Sequence, residues 1–230
     1  MADRVFGVGI VGWGGAARTF HAPFIRLVPG LALRAVATRR PAEVAAELPG
    51  VAVRDSLDAL LADPAVDLVV VATPHRLHAA HALATLAAGK DVVAEKPLAG
   101  SVAEAEAVFA RAREAGRRCV VFQNRRWDGD FQTVRQLIAG GTLGEVYHFE
   151  NGWPMHRPAL RGVWREDPGE LGGVLHDLGP HLIDQTVCLF GSPATVYAQI
   201  AARRPGARTS MMPVHGSRVA TALAGSRQRP

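Results

Sequence analysis

Short runs of β-branched residues alternate with longer Ala- and Leu-rich segments of helical period in the first half of the chain. The runs predict strands at Val5–Val11, Leu31–Thr38, Val66–Ala72, Asp91–Ala94 and Cys119–Gln123. The segments between them predict helices at Ala16–Val28, Pro41–Leu48, Leu57–Ala62, His75–Ala88 and Val102–Ala115. Such alternation is typical of βαβ units, so the pattern predicts an α/β domain with a doubly wound parallel sheet.

The periodicity changes after Gln123. It predicts helices at Asp130–Ala139 and Pro180–Phe190, and strands at Glu145–Glu150 and near Thr195–Ile200, with antiparallel alternation in the first of these strands. From about Pro205 the apolar spacing disappears, which predicts irregular structure. We therefore expect a parallel-sheet domain at 1–123, a partial α+β domain with a mainly antiparallel sheet at 124–207, and an irregular tail at 208–230.

Composition indicates a globular protein, since 48% of the residues are hydrophobic and 20% are charged. The apolar runs are too short to cross a bilayer, and the N-terminus lacks the apolar core of a signal peptide. These features predict a cytoplasmic protein that does not bind membranes.

The formal charge of +5 is confined to the end of the chain. Subtracting six arginines that follow Ala202 leaves residues 1–202 with a formal charge of −1. A nearly neutral body argues against nucleic acid and for a small-molecule substrate. These arginines are at positions 203, 204, 208, 218, 227 and 229.

Disulfide and metal chemistry are not expected. Cys119 and Cys188 lack metal-ligand spacing, and we interpret both as small buried hydrophobic residues. His75, His78 and His81 are spaced three apart, but no second cluster of ligands accompanies them, so no metal is predicted.

A glycine-rich turn follows the first predicted strand. Gly12, Gly14 and Ala17 fit the pattern G-x-G-x-x-G/A at the point where a helix begins. The first glycine permits a tight turn, the second admits a pyrophosphate, and the small third residue lets the helix pack on the strand. We predict a dinucleotide-binding Rossmann domain; the alternative is an ordinary glycine-rich turn.

The end of the second predicted strand bears on the choice of cofactor. An acidic side chain there binds the ribose 2′-hydroxyl of NAD, whereas arginine accommodates the 2′-phosphate of NADP. This chain has Thr38, Arg39 and Arg40, with no acidic residue before Glu43. NADP is therefore favoured, and the alternative is a solvated pair of arginines.

Two segments contain candidate catalytic residues. Lys96 follows Glu95 at the end of the fourth predicted strand, where a lysine can stabilise a developing alkoxide; the alternative is a surface lysine paired with Glu95. His181 follows Pro180 at the start of a helix, whose positive end keeps an imidazole neutral, as a general base must be. Asp177, from the preceding loop, could orient the imidazole or the substrate; the alternative is a capping aspartate beside a core histidine.

In this order the motifs resemble those of the Gfo/Idh/MocA oxidoreductases. The resemblance rests on the glycine turn, Ala72-Thr73-Pro74, the segment from Ala88 to Leu98, and Asp177 through Asp184. Finer similarity at Phe20–Pro23 and Gln123–Asp128 resembles the branch that contains NADP-dependent scyllo-inositol dehydrogenases.

The resemblance implies that Lys96 and His181 form the catalytic pair, with Asp177 in support. It also implies a cis bond before Pro97 and an open sheet in the second domain that often forms a dimer interface. His75 stands where the family usually has Asn, close to the nicotinamide. The expected cofactor-binding residues are Gly12, Trp13, Gly14, Ala17, Thr38, Arg39, Arg40, Thr73, Pro74, His75, His78, Glu95 and Lys96.

We therefore expect an NADP-dependent oxidoreductase that interconverts a secondary alcohol and a ketone on a cyclic polyol or sugar. Two alternatives stay open: a non-catalytic dinucleotide-binding regulator, and an inactive truncated product. The second arises because the likeness to the family is expected to end near Ala207, as after a frameshift or truncation.

Overall fold

The computed structural model describes residues 4–154, 159–202, 205–209 and 218–221. The chain divides into two compact units, Met1–Phe122 and Gln123–Pro230, and each is described by itself. Sequence reasoning placed the division near Asn124. Within the described residues, no helix is both long enough and apolar enough to cross a bilayer.

The first unit is built on a parallel sheet of six strands, in the order β3-β2-β1-β4-β5-β6. The chain runs outward from β1 in both directions, which is the doubly wound topology that the pattern predicted. The strands are β1 (Phe6–Val11), β2 (Leu31–Ala37), β3 (Ala52–Arg54), β4 (Leu68–Val71), β5 (Asp91–Ala94) and β6 (Cys119–Val121).

Helices connect these strands. They are α1 (Ala22–Leu27), α2 (Pro41–Glu47), α3 (Leu57–Leu61), α4 (His78–Ala87) and α5 (Val102–Glu114). A π-helical turn, Ala17–His21, precedes α1, and a 3₁₀ turn, His75–Leu77, precedes α4. Ser101 caps α5, because its side chain accepts a hydrogen bond from the Glu104 N–H at 3.2 Å.

Each face of the sheet carries its own apolar cluster. Val8, Ile10 and Val36 pack on one face, while Val69 and Val71 pack on the other. Burial on both faces explains why the strands read as nearly continuous apolar runs. Strand β3 was missing from the prediction because three residues are too few to establish a period.

The second unit contains α6 (Gly129–Ala139), β7 (Phe149–Gly152), α7 (Val174–Asp177), α8 (Gly179–Phe190) and β8 (Arg218–Thr221). β7 and β8 pair antiparallel, with Phe149 opposite Thr221. The predicted antiparallel arrangement and the helices near 130–139 and 180–190 are therefore confirmed.

Two strand predictions in this unit are wrong. The strand expected at Glu145–Glu150 begins only at Phe149, and Thr195–Ile200 is not a strand. Instead, β8 lies in the stretch expected to be irregular. Pairing explains why β8 is a strand and Thr195–Ile200 is not. A strand needs a hydrogen-bonding neighbour; β8 pairs with β7, whereas no described residue pairs with Thr195–Ile200.

The interpretation of the cysteines needs one correction. Both lie in the predicted elements, but Cys119 is half-buried and Cys188 is exposed. Burial raises the pKa of the Cys119 thiol to about 11. Cys188 faces solvent because it lies on the outer side of α8, which buries Leu182 and Thr186 instead.

Candidate active site

The glycine-rich turn is enclosed by the ends of β2 and β4. The Gly12 N–H donates to the Ala37 carbonyl at 2.9 Å. Gly12 has a φ of +94°, and a Cβ there would lie 2.6 Å from the Ala72 carbonyl oxygen. Only glycine fits both requirements, so Gly12 is needed for the turn itself.

Gly14 stands in open space. No heavy atom among the described residues would come within 4 Å of a Cβ placed on Gly14 or Gly15, apart from their chain neighbours. A cradle of this kind, at the start of a helical segment, has room for a pyrophosphate against backbone N–H groups. Ala17 is fully buried beneath it, as close packing of helix on strand requires.

Trp13 faces the core rather than the turn. Its side chain is 3% exposed and packs in the cluster that contains Val8 and Ile10. Its carbonyl accepts a hydrogen bond from the Arg40 guanidinium. A cofactor could therefore meet only the backbone of Trp13.

The end of β2 presents two arginines in different environments. The Arg40 N–H donates to Thr38 Oγ1 at 3.0 Å, and its guanidinium also lies 3.4 Å from Glu43 Oε2. Arg39 is exposed, and no hydrogen bond or ion pair to it is found in the described part of the chain. Arg40 thus braces the glycine turn, while Arg39 is available to bind an anion.

The loop after β4 is held by His78, which is 1% exposed. Its Nε2 lies 2.8 Å from the Thr73 carbonyl oxygen, and its Nδ1 lies 2.6 Å from the Pro97 carbonyl oxygen. Burial lowers the pKa of His78 against the opposing effect of these two carbonyls. The ring joins the loops that follow β4 and β5.

His75 and Pro74 belong to the same loop. His75 is 3% exposed, and its ring meets that of His78 edge-on, with 5.6 Å between the centroids. The His81 Nδ1 lies 3.3 Å from Thr73 Oγ1. No set of three or more His, Cys, Asp or Glu residues within the described ranges is arranged to hold a metal ion.

Glu95 and Lys96 follow β5. The Lys96–Pro97 peptide bond is cis, as the resemblance implied. Glu95 is 8% exposed, and its Oε1 lies 2.8 Å from His21 Nε2. Sequence reasoning did not identify His21 as a site residue. The only indication in the sequence is that His21 lies in the Phe20–Pro23 segment quoted for the resemblance. Glu95 is therefore a buried carboxylate that contacts His21, whereas the alternative interpretation expected it to pair with Lys96 at the surface.

His181 lies in the first turn of α8, directly after Pro180. The imidazole is 7% exposed, and its backbone N–H donates to the Leu178 carbonyl at 3.1 Å. The predicted position at the positive end of a helix is confirmed.

Asp177 needs a correction. It ends helix α7 rather than lying in a loop, because Gly173 permits a helical turn to start at Val174. It does not cap α8, whose N-cap residue is Leu178 without a side-chain capping bond. Its carboxylate lies 3.4 Å from Arg165 Nε.

An aromatic side chain lies beside His181. The Trp153 and His181 ring centroids are 6.2 Å apart, and the Arg125 guanidinium carbon lies 4.8 Å from the Trp153 ring centroid. Gln185 fixes this arrangement, because its amide donates to the Arg125 carbonyl at 3.1 Å. Sequence reasoning did not identify Arg125 as a residue of this site.

Two other side chains of this unit lie in different environments. The Trp127 side chain is 76% exposed because it lies in a short surface 3₁₀ turn. The Asp184 carboxylate pairs with the Arg126 guanidinium at 2.6 and 2.7 Å.

Family models match both units of the chain. Residues 6–123 match an oxidoreductase family with an NAD-binding Rossmann fold, and residues 131–224 match the GFO/IDH/MocA C-terminal domain. The chain therefore belongs to the Gfo/Idh/MocA family of oxidoreductases. The second match extends past Ala207, so the expected end of the likeness there is wrong.

Individual relatives of the chain are named as oxidoreductases or dehydrogenases. The chain is 42% identical to the uncharacterized oxidoreductase YdgJ of Escherichia coli, covering 91% of this chain and 60% of that protein. It is 39% identical to the scyllo-inositol 2-dehydrogenase (NADP(+)) IolW of Bacillus subtilis, covering 88% of this chain and 56% of that protein. The chain thus spans less than two thirds of the length of these relatives.

A solved structure extends the comparison. The crystal structure of biliverdin reductase from Synechocystis, in complex with biliverdin and NADP+, is 33% identical with a TM-score of 0.73. The match covers 82% of this chain and 59% of that chain. The chain therefore shares its fold with a protein whose structure holds NADP+.

Proposed function

We propose that the protein is an NADP-dependent dehydrogenase that transfers a hydride between the cofactor and a secondary alcohol of a cyclic polyol or sugar. One observation carries the proposal. At the carboxyl edge of the sheet, the ends of β2, β1, β4 and β5 lie side by side in that order. This edge is where open α/β sheets bind ligands.

Each of these strand ends offers a residue suited to one part of the cofactor or substrate, in the order in which those parts are joined or meet. Arg39 follows β2 and would meet the 2′-phosphate, and Gly14 follows β1 and would receive the pyrophosphate. Thr73 follows β4, where the nicotinamide would lie, and Lys96 follows β5, where the substrate hydroxyl would lie. The relative IolW supports this assignment, since its name specifies both scyllo-inositol and NADP(+).

In this mechanism the bound nicotinamide supplies a hydride acceptor. The Lys96 ammonium donates a hydrogen bond to the substrate oxygen and stabilises the negative charge that develops there. The His181 imidazole accepts the hydroxyl proton through a ring nitrogen, and Asp177 is a supporting residue. Proton and hydride leave the same carbinol, which becomes a ketone.

Because Arg39 is exposed at the end of β2, we assign the proposed NADP preference to this residue. Arg39→Ala should weaken NADP binding about tenfold or more, since a charge-assisted hydrogen bond contributes about 1.5–3 kcal/mol. NAD binding should stay unchanged because NAD has no 2′-phosphate. Titration with each cofactor, followed by thermal shift, measures both effects.

Arg34→Ala is the matched control for this variant. Arg34 is an exposed arginine on β2, before the carboxyl end of the strand. Loss of NADP affinity in both variants would show that net charge, rather than Arg39, determines the preference.

A second prediction concerns the substrate side. Trp153→Ala should raise the KM for the polyol about tenfold and leave the KM for NADP unchanged, because the indole presents an apolar face beside His181. Trp153→Phe should retain most of the affinity. Steady-state kinetics with each substrate varied separately measures the two constants; a change confined to NADP would contradict this role.

The direct test of the proposed function compares NADP, NAD and no cofactor by thermal shift, and then follows NADPH formation with scyllo-inositol. A ligand that binds only the folded state raises the melting temperature by mass action. NADP should give the larger shift and support oxidation. A larger shift with NAD, or no oxidation of a panel of cyclic polyols and sugars, would contradict the proposal.

A further inference from the structure

A buried pair of titratable side chains lies directly beside the proposed catalytic lysine. His21 is 4% exposed and Glu95 is 8% exposed, and His21 Nε2 lies 2.8 Å from Glu95 Oε1. Glu95 immediately precedes Lys96. The motifs that define the cofactor site give His21 no role.

A local irregularity of the helix brings His21 to this position. Ala17–His21 form a π-helical turn, in which the Ala22 N–H donates to the Ala17 carbonyl five residues earlier. One extra residue in a turn rotates everything after it by about 100° relative to an ordinary α-helix. The imidazole is thereby held inward, with its centroid 4.3 Å from that of Phe122.

The charges around Glu95 favour its ionised form. Burial alone raises the pKa of its carboxyl group, but the His21 hydrogen bond and the charges of His21, Lys96 and His78 outweigh burial and lower the pKa. These groups come from the π turn, the segment after β5, and α4. The stability that this ionised carboxylate contributes is therefore present above its ordinary pKa and is lost as the pH falls through the lowered value.

We propose that His21 is a positioning residue, whose Nε2–H donates to Glu95 and fixes that carboxylate as an oriented negative charge beside Lys96. Glu95 directly precedes Lys96 in the chain, so the fixed Glu95 side chain holds the Glu95–Lys96–Pro97 segment in place. His21 thus acts on the substrate only through Glu95 and Lys96. This inference rests on the proposed function for its catalytic consequence, but not for the state of Glu95.

Two variants separate the hydrogen bond from packing. His21→Phe keeps an aromatic ring against Phe122 and removes the donor. His21→Gln restores an N–H donor without the ring. NADP-induced thermal shift on each variant verifies that the cofactor site is folded.

The first measurement is a pH titration of the Glu95 carboxyl carbon by carbon-13 NMR, with Glu95→Gln used to assign the signal. In the unmodified protein the midpoint should lie below 4.5, the ordinary value for glutamate. In His21→Phe it should rise above that value, because burial then acts without its main opponent. An unchanged midpoint in His21→Phe would overturn the proposal.

The second measurement is turnover of scyllo-inositol with NADP. His21→Phe should lower kcat about a hundredfold, the effect expected of a misplaced catalytic group, with the KM for NADP unchanged. His21→Gln should recover most of kcat. Unchanged kcat in His21→Phe, or no recovery in His21→Gln, would overturn the positioning role.

Failure of the proposed function gives a different result. If the unmodified protein oxidises no polyol or sugar, the dehydrogenase assignment is overturned. The carbon-13 titration then decides by itself whether His21 holds Glu95 ionised.

Discussion

Lys96→Ala should lower kcat for polyol oxidation about a thousandfold while leaving NADP binding nearly intact. Removing a donor that stabilises developing charge on oxygen lowers kcat about a hundredfold to a thousandfold. The larger effect is expected here because the donor that is lost, the Lys96 ammonium, is itself positively charged. NADP binding should persist because the glycine turn and Arg39 lie at other strand ends. Single-turnover kinetics measures the first effect, and thermal shift with NADP measures the second.

The chain offers a matched control at the other end of β5. The Lys90 ammonium donates to the Asp63 carbonyl at 3.0 Å and to the Val66 carbonyl at 2.5 Å, so it has structural partners far from the carboxyl edge. Lys90→Met should lower the melting temperature but keep kcat. Wild-type turnover in Lys96→Ala would refute the catalytic assignment.

Alanine substitution at Gly12 should lower the stability of the fold, whereas alanine substitution at Gly14 should weaken cofactor binding. Gly12→Ala should destabilise the first unit by about 3 kcal/mol or more, because an unfavourable φ costs about 1–3 kcal/mol and the new Cβ meets the Ala72 carbonyl oxygen as well. Gly14→Ala should keep the melting temperature within a few degrees. It should nevertheless lose most NADP affinity, because its methyl group occupies the pyrophosphate cradle.

Denaturant unfolding and NADP titration on the two variants test this pair directly. Gly50→Ala is a control for φ alone, since Gly50 has a φ of +85° and open space around its Cβ position. It should be destabilised less than Gly12→Ala. A Gly14→Ala variant that binds NADP normally would show that the cofactor does not approach this glycine.

The sequence predicts the first unit well because its sheet is buried on both faces and its helices separate the strands. Each element then leaves a local pattern, such as the apolar run Leu68–Val71 or the cap at Ser101. Strand β3 left none because it is held by pairing with β2 over only three residues. The glycine turn, with its required backbone angle at Gly12, was equally local and equally predictable.

Contacts between distant positions could not be predicted in this way. His21 and Glu95 are 74 positions apart, and no sequence motif contains both of them. Their contact depends on a π turn, which has no distinctive composition. The same limit applies to β8, whose strand character comes from pairing with β7 rather than from its own residues.

Strands without partners show the converse error. Thr195–Ile200 has suitable alternation, but Val196 and Tyr197 are 80% and 91% exposed. The pattern describes what a strand could bury, whereas a hydrogen-bonded neighbour determines whether it forms. Site residues of the second unit, such as Arg125 beside Trp153, were also harder to predict, because their contact joins positions that are distant in the sequence.

The central claim, hydride transfer from a secondary alcohol to NADP, is tested most directly with scyllo-inositol carrying deuterium on its ring carbons. Mass spectrometry of the cofactor after reaction should show one deuterium in the reduced NADP and a ketone as the product. The same reaction with Lys96→Ala should show almost none. Reduced cofactor without deuterium, or no reduced cofactor with any deuterated polyol or sugar, would contradict the account.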